Sequence, residues 1–169
     1  MQGLLIRYPD HQPAFLNVAQ GTLFRRPTMA HTVLGSCVSV TFYVPAHGLA
    51  AIFHALLPAA SEYRLQHPEA TPFKFVDTAI DNIFHRLLHR GVARHEIECK
   101  VFGGASALFA EEMSVGRRNV EMAFATLADL GLRVAASNVG GERGRKIVFA
   151  SGTGEIFVRM LQNGSKALK

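Results

Sequence analysis

Two side chains in this sequence, Cys37 and His54, have the types and the spacing for covalent chemistry. Cys37 follows Gly35-Ser36 inside HTVLGSCVSVTFY, residues 31–43, a stretch rich in Val, Thr and aromatic residues that reads as a strand. A second apolar run, Leu49 to Leu57, carries His54 and closes at Pro58. Five turn-type residues, Val44 to Gly48, separate the runs, so the pair predicts an antiparallel hairpin. The midpoint of positions 37 and 54 lies between Pro45 and Ala46, and folding back there sets His54 opposite Cys37 to within a residue. Cross-strand Cβ atoms are about 4.5–5.5 Å apart, within reach of an imidazole and a sulfur. A thiol, with an ordinary pKa of about 8.5, attacks carbonyls well only once deprotonated. A neighbouring imidazole takes that proton and returns it to a leaving amine. Backbone N–H groups from Gly35 to Cys37 could stabilise an oxyanion, since glycine admits a close carbonyl. The reaction class is acyl transfer through a thioester, which needs no metal and no organic cofactor. Cys37 as strand packing and His54 as a satisfied core histidine fit the same spacing, and spacing alone leaves both open.

The chain around this pair has 169 residues, 49% apolar and 18% charged, which excludes a disordered segment. A chain of this size buries about 70% of its unfolded surface without disulfides or metals. The apolar stretch from Leu49 to Ala60 is interrupted by His54 and Pro58 and is too short to span a bilayer, so no membrane insertion is expected. The N-terminus has only Leu4 to Ile6 as an apolar run before Arg7 and Pro9, which is no secretory leader. Cys37 and Cys99 have no metal spacing, and the expected setting is the cytoplasm with reduced thiols. A net charge of +5 invites a nucleic-acid reading. Its carriers, Arg25-Arg26, Arg117-Arg118 and Arg143/Arg145/Lys146, are scattered and lack interleaved aromatics. They read as a solvated face or a surface for an acidic protein partner, with no nucleic acid.

The elements that must position the pair follow from periodicity. Residues 1–17, with Pro9 and Pro13, read as a loosely attached N-terminal arm, and 18–169 as one domain. Phe73 to Arg90 repeats apolar residues at threes and fours from Val76 to Leu88, a helix stopped by Gly91. Asn119 to Leu130 is a second helix, with Gly131 after it. Strands are expected at Ile97 to Phe102, Leu132 to Val139, Lys146 to Ala150 and Glu155 to Leu161. Most connections are too short for parallel crossovers. The fold class is α+β, a mixed or antiparallel β-sandwich-like core flanked by helices.

With these segments in view, the chain resembles the CheD family of chemoreceptor glutamine deamidases. The resemblance begins at Thr32-Val33-Leu34-Gly35-Ser36-Cys37-Val38 and His54-Ala55-Leu56-Leu57-Pro58. It continues through Phe73-Lys74-Phe75-Val76-Asp77, Lys100-Val101-Phe102-Gly103-Gly104-Ala105 and Val115-Gly116-Arg117-Arg118-Asn119, and ends in Gly140-Gly141-Glu142-Arg143-Gly144-Arg145-Lys146. The resemblance implies an α/β sandwich of the cysteine deamidase type, and hydrolysis of receptor glutamine amides to glutamates. It makes Cys37 the nucleophile, His54 the base and acid, and an upstream hydroxyl residue the third member. Its Thr position, six before the Cys, holds His31 here, with Thr32 one later. Thr32 is the choice over His31, because a hydroxyl orients an imidazole without opposing charge. Phe102, Gly103 and Gly104 join Gly35 and Ser36 as the substrate-binding and oxyanion segment. Asn138 stands where the family pattern has an acidic residue. The implied partners are chemoreceptor cytoplasmic domains and a CheC-type phosphatase. A non-catalytic adaptor binding the same partners is the alternative, and methyl-ester hydrolysis would use the same acyl-enzyme logic.

His85 and His89, spaced i, i+4 on the long helix, have a metal-ligand spacing but no third ligand, so no metal site is expected. Gly140 to Gly144 lacks the Lys-Ser/Thr of a phosphate loop. Cys99 reads as core.

Overall fold

The computed structural model describes residues 2–63, 71–106 and 114–162. In order these form α1 (Gln2–Arg7), β1 (Gln12–Phe15), β2 (Gln20–Phe24), β3 (Thr28–Leu34), β4 (Val38–Val44), β5 (Leu49–His54), α2 (Val76–Leu88), β6 (Glu98–Gly103), α3 (Val115–Asp129), β7 (Arg133–Val139), β8 (Arg145–Ala150) and β9 (Glu155–Met160). One sheet runs β1-β3-β8-β9 and the other β2-β5-β4-β6-β7. Both are mixed: β1 lies parallel to β3 and β7 parallel to β6, while the remaining pairs are antiparallel.

The layers follow from which strands have two buried faces. Every residue of β5 is buried, as a strand covered on both sides requires. Leu49, Ala51, Phe53 and Ala55 join Val38, Val40, Phe42 and Val44 against α2 and α3. Ala50 and Ile52 turn the other way and meet Ala30, Leu34, Ile147 and Phe149 of the smaller sheet. On the far side of that sheet, Met29, Val148 and Ala150 pack with Tyr8, Leu4 and Leu5 at and beside α1. The result is helix, sheet, sheet, helix pair, with one core between the sheets and another beneath α2 and α3.

Three expectations change. The single strand expected over residues 31–43 is two strands, β3 and β4, in different sheets. Residues 35–37 carry the chain from one sheet to the other, which strand-like Val and Thr on both sides conceal. The arm is not loose. β1 pairs with β3, the Tyr8 hydroxyl donates to Glu155 at 2.6 Å, and Leu16 enters the inter-sheet core. Arg145, expected at the surface, is 1% exposed. Its guanidinium donates to the Asn138 carbonyl at 2.5 Å, to Asn138 Oδ1 at 2.7 Å and to the carbonyls of Gly140 and Arg143. Both long helices start near their expected positions. α2 begins at Val76, and α3 begins four residues early because Ser114 caps it, its Oγ accepting from Arg117 N at 3.2 Å.

Candidate active site

The crossover at residues 35–37 is held by its carbonyls. Gly35 O accepts from Ala105 N at 2.9 Å and Cys37 O from Gly104 N at 2.8 Å. Ser36 O accepts from Asn119 Nδ2 at 2.9 Å. Gly103 has φ +110°, and a Cβ there would lie 2.1 Å from Cys37 O, so the close approach of β6 to this loop requires glycine. The Gly104 N–H, expected to face an oxyanion, is thereby engaged by Cys37 O. Phe102 is buried in the inter-sheet core and pairs with Ser39.

The hairpin of β4 and β5 forms, but in another register. Thr41 pairs with Ile52 and Val44 with Leu49, and Val38 and Ala55 exchange hydrogen bonds of 3.0 and 2.9 Å. Val44 is the last strand residue and not part of the turn, which is a 3-10 turn over Pro45–His47 closed by Gly48 at φ +59°. The fold-back point moves accordingly. By this register Ser39 stands in line with His54, and Cys37, just beyond the last paired residue Val38, lies two positions along from Ser39 and so diagonal to His54. Diagonal partners are about 7–8 Å apart, and the two-residue shift preserves the face. Cys37 packs in the inter-sheet core, and His54 reaches across it to β3.

His54 is 3% exposed and Thr32 fully buried, and Thr32 Oγ1 lies 2.8 Å from His54 Nδ1. The Thr32 hydroxyl donates its single proton to Leu16 O at 2.7 Å, so it accepts from Nδ1–H. That assigns the tautomer: Nε2 carries the free lone pair, and among the described residues it is a buried nitrogen with no hydrogen-bond partner. Ala19 N donates to the His54 carbonyl at 2.8 Å from a left-handed backbone, φ 59°. His31 points to the opposite face of β3, edge-on to the Phe15 ring at 5.2 Å.

Electrostatically the pair rests uncharged. Burial pushes the Cys37 thiol above its ordinary value, against which its own backbone N–H pulls down. Burial lowers His54, and the Leu16 carbonyl partly restores it. A neutral thiol and a neutral imidazole on one face suit general-base rather than ion-pair chemistry, and hydrogen bonds at such sites commonly tighten only with a ligand bound.

Sequence reasoning did not single out Asn119, Ser39 or the Leu16 carbonyl. Asn119 interrupts the buried stripe of α3 formed by Gly116, Ala123 and Leu127, and a polar residue there was a usable signal. Ser39 is fully buried, with an Oγ that has no partner among the described residues. A backbone carbonyl leaves no trace in sequence. His85 on α2 and His89 at its C-terminal cap lie exposed, and among the described residues no group of three His, Cys, Asp or Glu could hold a metal ion. Cys99 is buried beneath the helices with its thiol pushed up to about 12. Among the described residues no helix is long and apolar enough to cross a membrane.

Comparison with known proteins places these features in a family. The chain is 43% identical over 164 residues to a protein of Nitratidesulfovibrio vulgaris named "Probable chemoreceptor glutamine deamidase CheD", covering 90% of this chain and 79% of that one. A protein of the same name from Oleidesulfovibrio alaskensis is 41% identical, covering 90% and 74%. One from Geobacter sulfurreducens, "Probable chemoreceptor glutamine deamidase CheD 2", is 39% identical, covering 92% and 94%. Among solved structures, the Bacillus licheniformis hypothetical protein YfiH is similar at a TM-score of 0.42 and 15% identity over 70% of this chain and 49% of that one, too distant to bear on the chemistry. Residues 56–160 match the family described as CheD chemotactic sensory transduction, and the chain belongs to the CheD family.

Proposed function

We propose that this chain is a protein-glutamine deamidase that hydrolyses glutamine side-chain amides of chemoreceptor cytoplasmic domains to glutamates, releasing ammonia, in the cytoplasm. The observation that carries the reading is the Thr32–His54 contact of 2.8 Å, which leaves Nε2 as the free base on the face that Cys37 shares. The relatives' names supply the substrate class.

In this mechanism His54 Nε2 takes the Cys37 proton as the sulfur attacks the glutamine Cδ. The carbonyl oxygen becomes an oxyanion facing the Ser36 and Cys37 N–H groups, whose carbonyl sides are already bound elsewhere. The imidazolium gives its proton to the leaving nitrogen, the C–N bond breaks, and ammonia departs from a thioester. His54 then deprotonates a water, the hydroxide attacks the thioester carbon, and the C–S bond breaks. The thiolate recovers the proton from His54, and glutamate leaves. Thr32 holds Nδ1–H throughout, so the ring neither rotates nor changes tautomer. Regulation by a CheC-type phosphatase rests on the family resemblance alone.

Incubation with a chemoreceptor cytoplasmic fragment, read by mass spectrometry, should show Gln-to-Glu conversion that Cys37→Ala abolishes. Conversion by Cys37→Ala at the parent's rate would sink the mechanism. Binding that survives this substitution, with no turnover by the parent, would establish the adaptor instead. Turnover confined to methylated receptor glutamates would establish ester hydrolysis.

A further inference from the structure

Asn119 is fully buried at the start of α3, on the helix side of the larger sheet. Its Nδ2 donates to Ser36 O at 2.9 Å and to Leu56 O at 3.0 Å. These two carbonyls flank the place where the β4–β5 ladder stops. Val38 and Ala55 exchange the last pair of bonds, and beyond them Leu56 N and Leu57 N both turn to Lys74 O. The strands part there, and the Asn119 amide occupies the wedge. One of its protons fixes the peptide that ends in Cys37, and the other fixes the chain two residues after His54.

The direction of the first bond matters chemically. In a trans peptide the C=O and N–H point opposite ways. With Ser36 O held toward α3, the Cys37 N–H is turned toward the inter-sheet side, where the thiol packs. Accepting a hydrogen bond at its oxygen polarises an amide and makes its N–H a better donor. We propose that Asn119 is a positioning residue for the nucleophile: it aims and polarises the Cys37 N–H toward the sulfur and the developing oxyanion, and locks the Cys37 loop to the His54 strand. The proposal rests on the deamidase reading for its kinetic consequence. Its structural content stands apart, because it concerns Cys37 with or without turnover.

The test uses the full chain. In Asn119→Ala and the isosteric Asn119→Asp, both lacking the two donors, kcat should fall by roughly 10- to 100-fold, short of the loss from deleting an oxyanion donor itself. KM should stay unchanged, and iodoacetamide alkylation of Cys37 should slow at fixed pH. Folded variants with parental kcat and parental alkylation rates would overturn the proposal. If neither variant folds, the unmutated chain decides: with 15N labelling, the Asn119 side-chain amide protons should exchange slowly and shift when Cys37 is alkylated. Solvent-rate exchange, or no shift, would overturn the proposal. A parent that never deamidates a receptor fragment would refute the deamidase reading alone, leaving the alkylation and exchange results to judge Asn119.

Discussion

His54 joins two readings that are separable only residue by residue. Its Nδ1 meets Thr32 on β3, while the neighbouring His31 lies on the other face of the same strand. Thr32→Ala should therefore lower kcat on the order of 10²-fold, as loss of a ring-orienting contact does, with Thr32→Ser recovering most of it and His31→Ala near parental. The reverse ranking of Thr32 and His31 would put the orienting role elsewhere. Burial raises Cys37 and lowers His54, so the resting form is neutral at both. The kcat/KM profile should then have its acid limb below the ordinary imidazole value of 6.5. Alkylation of the resting thiol should keep rising above 9.0. A resting ion pair would instead give fast alkylation that is flat through neutrality. Stability carries the same sign. Folded His54 binds its proton less readily than the unfolded chain, so its neutral burial is fully tolerated above 6.5 and the fold loses stability as pH falls through the folded value. Thermal denaturation from pH 7 to pH 5 should show the fall, and His54→Gln should reduce it, the remainder coming from His31, which burial lowers as well.

Among the elements, those with periodic side chains were legible and those defined by partners were not. The all-buried run of β5 and the apolar stripe of α2 announce themselves by composition and by spacing. The switch between β3 and β4 does not, because Gly35-Ser36 reads equally as flexible strand interior or as a crossover. The Cys37–His54 pairing was readable to the correct face but not the correct register, because Val44 looks like a turn residue by neighbourhood and is a strand residue by hydrogen bonding. β1 was missed because Pro13 in a four-residue edge strand argues against a strand. Ala19 sits at φ 59° in the turn behind His54. Left-handed backbone costs an L-residue roughly 1–2 kcal/mol, and glycine's extra entropy returns about half of that. Ala19→Gly should raise stability by roughly 0.5–1 kcal/mol in denaturant melts, and destabilisation would show that the side chain has a packing role there. At the β7–β8 connection Arg145 is buried against carbonyls and a neutral amide. Asn138→Asp supplies a carboxylate at the same reach and should stabilise on the order of 1 kcal/mol, screened because residue 138 is exposed. An unchanged Tm would mean the carbonyls already satisfy the guanidinium.

At the scale of the whole molecule, the site depends on a segment far from the nucleophile in kind and in sequence. The acceptor at the end of the His54–Thr32 chain is Leu16 O, delivered by the strand that closes the smaller sheet. Leu16 N in turn donates to His31 O at 2.9 Å, so pairing at the edge of that sheet fixes the carbonyl. The helix α1 is different: it covers the outer face of that sheet through Leu4 and Leu5, with Tyr8 just after it. Two truncations separate these roles. Removing residues 1–10 uncovers Met29, Val148 and Ala150 and loses the Tyr8–Glu155 bond, but leaves β1 and Leu16 in place. It should cost about 1.5–3 kcal/mol, the scale of exposing one large apolar side chain, while kcat per folded molecule is kept. Removing residues 1–17 also deletes the acceptor and unpairs β3. The Thr32 hydroxyl is then released to donate to His54 Nδ1, which favours the tautomer with its proton on Nε2 and takes away the free base. Turnover should collapse even in whatever fraction remains folded, as judged by circular dichroism and gel filtration. Should the shorter deletion abolish turnover in a folded protein, or the longer one preserve it, the Leu16 carbonyl would not be the anchor of the histidine.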